Sequence, residues 1–153
     1  MVQEQMNLIP QGFLFAVAEA SIKKPGRLDL ALIYSETECV VSGMFTTNKI
    51  KAAPVKHNIK KIRKGIGQAI LVNSGNANAC TGKHGLKDVA ETVRMVGNLL
   101  KIDPDLVYAC STGVIGVPLP MERIRSKIPE LVNSIGKATI EEVAKAIMTT
   151  DTF

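Results

Sequence analysis

Tryptophan is absent from these 153 residues, and four phenylalanines and two tyrosines make up the whole aromatic content. So few rings leave few stacking platforms for a single-stranded nucleic acid. Charge of one sign is not in large excess either: 19 lysines and arginines against 14 acids give a net charge of +5. That balance favours solubility and anionic small molecules as partners, and it falls short of a nucleic-acid footprint. Cysteine occurs three times, at Cys39, Cys80 and Cys110, with no Cys-x-x-Cys pair. An odd number at wide spacing argues against a disulfide framework and a zinc site, and for a reducing compartment in which the thiols serve as small buried hydrophobes. No apolar run approaches a membrane span, and Gln3, Glu4, Gln5 and Asn7 stand where a targeting peptide would need basic residues and a long apolar stretch, so a cytoplasmic location is expected. There is no Gly-x-Ser-x-Gly elbow, no His-Glu-x-x-His and no Gly-x-x-x-x-Gly-Lys phosphate loop, and neither a metal nor a cofactor is expected.

What is present is an ordinary globular composition, 46% hydrophobic and 22% charged, at a length that fits one domain over residues 1–153. Phe13, Phe15 and Val17 alternate with period two, as in a strand closed by the turn Lys23-Lys24-Pro25-Gly26. Two further β-rich runs, Asp29 to Ser35 and Glu38 to Phe45, suggest a strand-rich hairpin layer. The cation-rich segment from Lys56 to Lys64 reads as a helix with one solvated and one buried face, and His57 within it as a surface residue. Lys87 to Lys101 is the clearest helix, with Val89, Val93, Val96 and Leu100 on one side and Asp88, Glu91, Arg94 and Asn98 facing away. Met121, Ile124, Ile128, Leu131 and Ile135 mark a second helix, bent or interrupted near Pro129. Thr139 with Glu142 three residues on forms a capping box that opens a third.

Two polar stretches follow compact apolar runs. Gln68 to Val72 leads into Asn73-Ser-Gly-Asn-Ala-Asn-Ala-Cys-Thr-Gly82, with three asparagines and two glycines in ten residues. These residues suit a chain of tight turns, or they supply donors and acceptors to a ligand or catalytic loop. Leu106 to Cys110 leads into Ser111-Thr112-Gly113-Val114-Ile115-Gly116, read as a turn at the carboxyl end of a strand, where open α/β sheets place ligands. With the helix between them the two strands make a βαβ-like unit, and both polar stretches leave the same edge of the sheet if the strands are parallel. The Thr112 hydroxyl and the Gly113 amide could together hold a developing oxyanion in an acyl-transfer site, or the stretch is a structural turn.

A resemblance weighs on that choice. Pro10-Gln-Gly-Phe13, Asp29-Leu-Ala-Leu-Ile33, Phe45-Thr-Thr-Asn48 with Ala52-Ala-Pro-Val55, the asparagine block 73–82, the Ser-Thr-Gly block 111–116 and Ala146-Ile-Met-Thr-Thr-Asp-Thr152 occur in order along nearly the whole chain. Together they resemble the amino-terminal part of the ornithine acetyltransferase (glutamate N-acetyltransferase) family of arginine biosynthesis.

The resemblance implies a precursor that cuts itself before a threonine, giving an α chain and a β chain headed by that threonine as nucleophile, assembled as α2β2. The acetyl group would pass from N-acetylornithine to the threonine and on to glutamate, with acetyl-CoA as a further donor in some members. Carried onto this sequence, Thr112 and Gly113 match the oxyanion-hole pair and Thr152 matches a substrate-binding position. The Lys-Gly-Ser-Gly-Met segment and the Asn-Met-Ala-Thr cleavage site of the family are not in these residues, so the chain is expected to be an α-chain part, incomplete without a β chain. The implied fold is α+β, a layered sandwich of helices over two β-sheets, like that of the related self-processing aminopeptidases, completed by the second chain. Such an aminopeptidase, or a non-catalytic binding module that kept the fold, are the alternatives.

Overall fold

The computed structural model describes residues 9–148. Four strands form one mixed sheet in the order β1-β2-β3-β4: β1 Phe13–Ala18, β2 Leu30–Val40, β3 Ile66–Asn76 and β4 Val107–Val114. β1 and β2 are antiparallel, as are β2 and β3, whereas β3 and β4 are parallel. Helix α1 (Ala53–Lys61) precedes β3, α2 (Gly82–Leu100) crosses from β3 to β4, and α3 (Met121–Asn133) and α4 (Ile140–Ile147) follow. The mixed α and β content expected from the sequence is present. Among the described residues there is a single sheet where the family likeness implied two.

Alternation along the strands sorts side chains between two cores. Ala16 and Ala18, Leu30 and Leu32, Ala69 and Leu71, and Val107 and Ala109 face α2 and α3, which contribute Val89, Val93, Val96, Ile124, Ile128 and Leu131. The opposite parity, Phe13, Phe15 and Val17 with Ala31, Ile33 and Val72, packs against Val143 and Ala146 of α4. The sheet is thus filled from both sides, by a two-helix layer and by one short helix. The capping box of α4 forms as read, Thr139 Oγ1 accepting from the Glu142 amide and the Glu142 carboxylate accepting from the Thr139 amide. Pro129 lies inside α3 without ending it.

Several expectations are corrected. The two runs after Asp29 are one long strand, β2, whose register against β3 shifts between Tyr34 and Cys39, so a bulge rather than a turn separates them. Residues 41–45 add no strand. Helix α1 starts earlier than the charge pattern suggests, because Pro54 pre-sets the first turn and the Ala53 amide donates to the Asn78 carbonyl at 3.0 Å. Asp88 does not face solvent: it is buried with Gly85, Val89, Thr92 and Val96 on the inner stripe of α2, and that desolvation raises its pKa. His57 is half-buried, its Nε2 enclosed without a hydrogen-bond partner among the described residues, and burial, aided by Lys61, lowers its pKa. None of the three cysteines is fully buried: Cys39 sits in the bulged part of β2, Cys80 in the loop before α2 and Cys110 on the edge strand.

Candidate functional site

The parallel pair β3–β4 carries both polar stretches side by side. Neither begins as a turn: β3 continues through Asn76 and β4 through Val114, with Asn73 opposite Ser111, Ser74 opposite Thr112, Gly75 opposite Gly113 and Asn76 opposite Val114. The Ser-Thr-Gly stretch is therefore the extended end of an edge strand, and the reading of it as a turn is corrected. Glycine permits this at the point of closest approach. Gly113 has φ of +131°, and a Cβ there would lie 2.3 Å from the Gly75 carbonyl carbon and 2.5 Å from the Asn76 nitrogen.

The asparagines turn inward. Asn76 Nδ2 donates to the carbonyls of Val117 (3.0 Å) and Pro118 (3.1 Å), and its Oδ1 accepts from the Asn78 amide at 2.8 Å. Asn78, fully buried and at φ +46°, donates through Nδ2 to the Gly85 carbonyl at 2.9 Å and accepts from Thr81 Oγ1 at 2.7 Å. Asn73 donates to the Asn76 carbonyl at 2.8 Å and accepts from Ser111 Oγ. Of the two readings of this block, the structure selects a scaffold: these side chains tie β3, β4 and the start of α2 together and are committed before any ligand arrives.

Thr112 and Gly113 are exposed. Lower on β4, Asn58 of α1 pairs with both backbone groups of Ala109, Nδ2 donating to the carbonyl at 2.8 Å and Oδ1 accepting from the amide at 3.2 Å. On the other side, the Val114 carbonyl accepts from the Ala77 amide at 2.9 Å. Successive residues of a parallel strand alternate the direction of their backbone groups. Gly113, an even number of residues beyond Ala109, therefore turns its amide to the open edge, away from β3.

A cleft of about 330 Å³ opens here, lined by Lys23, Arg27, Asp29, Ser74, Gly75, Thr112, Gly113 and Val114. Three of its polar side chains are spoken for. Asp29 is buried with both carboxylate oxygens accepting backbone amides, Ala20 at 2.7 Å and Ile22 at 2.6 Å, and Ser74 Oγ donates to the Ala146 carbonyl at 2.7 Å. Arg27 donates to the Met148 carbonyl at the end of α4. The loop between β1 and β2 is held over the cleft by Asp29 and by Glu19, whose Oε1 accepts from the Gly26 amide at 2.7 Å. Sequence reading placed Lys23 in a Pro-Gly turn and missed the cleft residues Lys23 and Arg27; the only signal available was a cluster of basic residues in that turn. Thr112 and Gly113 come together as expected, while Thr152 lies outside the described residues, beyond Met148.

A mixed α+β chain with one wall of a cleft, cationic on one side and offering a hydroxyl and an amide on the other, is the class of protein that this fold and site define. The ArgJ family model matches residues 14–153. The arginine biosynthesis bifunctional protein ArgJ of Geobacter sulfurreducens is 55% identical over 143 residues, covering 94% of this chain and 36% of its own length. That of Caldanaerobacter subterraneus is 48% identical over 145 residues, covering 95% and 36%. A crystal structure of ornithine acetyltransferase complexed with ornithine, from Mycobacterium tuberculosis, superposes with a TM-score of 0.89 at 38% identity, covering 94% of this chain and 79% of that one. An ArgJ structure from Bacillus halodurans gives 0.85 at 39% identity, covering 94% and 75%. The chain belongs to the ArgJ family. It spans about a third of the length of the curated relatives it matches.

Proposed function

We propose that this chain is the amino-terminal, α-chain part of an acetyltransferase that moves an acetyl group from N-acetylornithine to glutamate. The observation that carries the reading is the end of β4: a threonine hydroxyl and a glycine amide, neighbours in sequence, exposed together at a cleft wall and held by a scaffold whose own side chains, Asn73, Ser74, Asn76 and Asn78, are committed within the fold. In the proposed reaction the hydroxyl of a threonine heading a β chain attacks the acetyl carbon, and the carbonyl oxygen becomes an oxyanion. The Thr112 hydroxyl and Gly113 amide donate to that oxygen as its charge develops. The C–N bond then breaks, ornithine leaves with the proton, and the acetyl group remains as a threonine ester. The amine of glutamate attacks the ester, the same donors hold the second oxyanion, and N-acetylglutamate departs as the threonine hydroxyl is regenerated. Acetyl-CoA would enter the same first step as a thioester donor. Pairing with a β chain, an α2β2 assembly and a contribution of Thr152 to substrate binding belong to the same reading.

The test is Thr112→Ala in the full-length, self-processed protein. Loss of one preorganised donor is expected to lower kcat for transfer from N-acetylornithine to glutamate by a factor on the order of 10². Turnover within a factor of three of the parent would remove Thr112 from the chemistry.

A further inference from the structure

We propose that the fold binds one structural water molecule between the β3–β4 pair and helix α2, accepting hydrogen bonds from the side-chain amides of Asn73 and Asn78 and donating to the hydroxyls of Thr92 and Ser111. The site is separate from the cleft. Ser74 and Thr112 line the cleft, and Asn73 and Ser111, one residue earlier on each strand, face the other side of the sheet. The inference therefore stands apart from the oxyanion reading. Three observations carry it.

The first is space. A cavity of about 10 Å³ lies on the α2 side of the sheet, close to the room that one water molecule needs. Leu30, Leu71 and Ile124 contribute to an aliphatic wall, and Asn73, Asn78, Thr92 and Ser111 bring polar groups to it. An apolar cavity of this kind stays dry, whereas one that offers two to four polar partners takes up water.

The second is the bonding capacity left over. Asn73 Nδ2 gives one proton to the Asn76 carbonyl and Asn78 Nδ2 gives one to the Gly85 carbonyl, and each amide carries a second proton. Thr92 Oγ1 donates to the Val89 carbonyl at 3.0 Å, and Ser111 Oγ donates to Asn73 Oδ1. Both hydroxyl oxygens keep lone pairs with which to accept. Two spare donors and two spare acceptors around one water-sized space match the two lone pairs and two protons of a water molecule.

The third is burial. Asn73, Asn78 and Thr92 are 7%, 0% and 5% exposed, so bulk solvent does not serve their spare groups. Leaving buried donors and acceptors unmet costs free energy. Thr92 is also the hydroxyl in a stripe otherwise completed by Val89, Val93 and Val96, and among the described residues it bonds only within its own helix. A water molecule gives that hydroxyl a purpose: it ties the middle of α2 to both parallel strands and seats Ser111, the residue before Thr112, against the helix layer.

The first measurement is a crystal structure of the full-length protein at a resolution that shows ordered water. The expected result is a single peak about 2.7–3.2 Å from Asn73 Nδ2, Asn78 Nδ2 and Thr92 Oγ1. A map with no peak there would overturn the assignment. The second uses Thr92→Val, which keeps the shape of the side chain and removes the acceptor. With water bound, the variant strands it and Tm falls by about 2–4 °C. In a dry cavity the same change completes the aliphatic stripe, so an unchanged or higher Tm would also overturn the assignment. The parent structure decides the matter even where the variant is not recovered, and the outcome of Thr112→Ala has no bearing on it.

Discussion

Two stretches of similar composition run side by side at the carboxyl ends of neighbouring parallel strands, and they have opposite fates. Residues 73–78 are rich in polar side chains, yet Asn73, Ser74, Asn76 and Asn78 are all buried and each has a hydrogen-bond partner within the fold. Residues 111–116 look no more reactive, yet from Thr112 on they are exposed, on the outer edge of the sheet. The difference is position rather than residue type. β3 has a strand on each side and helices on both faces, so a polar group there must be satisfied internally or cost free energy. Among the described residues β4 has only β3 beside it, and α1 covers its outer edge near Val107 and Ala109, so Thr112 and Gly113 further along stay exposed. The inner stretch makes the outer one rigid, and rigidity is what a preorganised pair of donors requires.

The sharpest way to break this comparison is at the contact between the two stretches. In Gly113→Ala the added methyl would meet backbone atoms of Gly75 and Asn76 at 2.3–2.6 Å, and alanine resists φ of +131°. The expected loss is about 4 kcal/mol or more, enough to prevent recovery of folded protein or to lower Tm by many degrees. A variant with near-parental Tm would show that the strands do not meet as closely as described. Asn78→Ala comes next. It removes the tie to the Gly85 carbonyl, leaves the Thr81 hydroxyl without its acceptor and opens a small cavity, for a cost of about 2 kcal/mol, read as a lower denaturant midpoint at unchanged slope. Thr112→Ala, on the outer stretch, should shift stability by no more than about 0.5 kcal/mol while costing activity. Equal stability losses for Asn78→Ala and Thr112→Ala would erase the distinction between scaffold and site.

Much of the architecture was legible in the sequence because it rests on periodicity. The alternation of Phe13, Phe15 and Val17, the apolar stripe of α2 and the Thr139–Glu142 box each specify an element locally, and each forms. The βαβ-like unit was legible for the same reason, and the parallel pairing follows from it. What was not legible depended on partners distant in the chain. Whether Asn76 serves a ligand or the Val117 and Pro118 carbonyls is decided by a contact about forty residues away, which no local pattern carries. Asp88 reads as solvent-facing by its charge and is buried by the packing of its helix. Lys23 belongs to the cleft only because Gly75 lets the β1–β2 loop rest on β3. At the site, residue types alone left Thr112 and Gly113 open between a turn and a pair of donors, and the resemblance singled them out, while the cations opposite were hidden in an ordinary turn.

A pH-dependent effect concerns the covered part of the β4 edge, below the open donors. Lys61, buried at the end of α1, donates to the Val107 carbonyl at 2.8 Å and to the Pro104 carbonyl, so it joins Asn58 in fixing the base of the strand. Burial, only partly offset by Asp105 and Asp103, pulls its pKa down from 10.5 to about 8. The folded protein therefore releases this proton near pH 8, while the unfolded chain keeps it until near pH 10.5. Between those values the unfolded state binds more protons, so stability contributed by this group rises with pH, by about 1 kcal/mol from pH 7 to pH 9. Lys61→Met removes that contribution. Denaturant midpoints across this window should rise for the parent relative to the variant, and parallel profiles would show that Lys61 titrates as it does in water. Because Thr112 and Gly113 lie further along the strand, beyond the residues that Lys61 and Asn58 hold, the substitution tests whether the edge is anchored at its base independently of its exposed end.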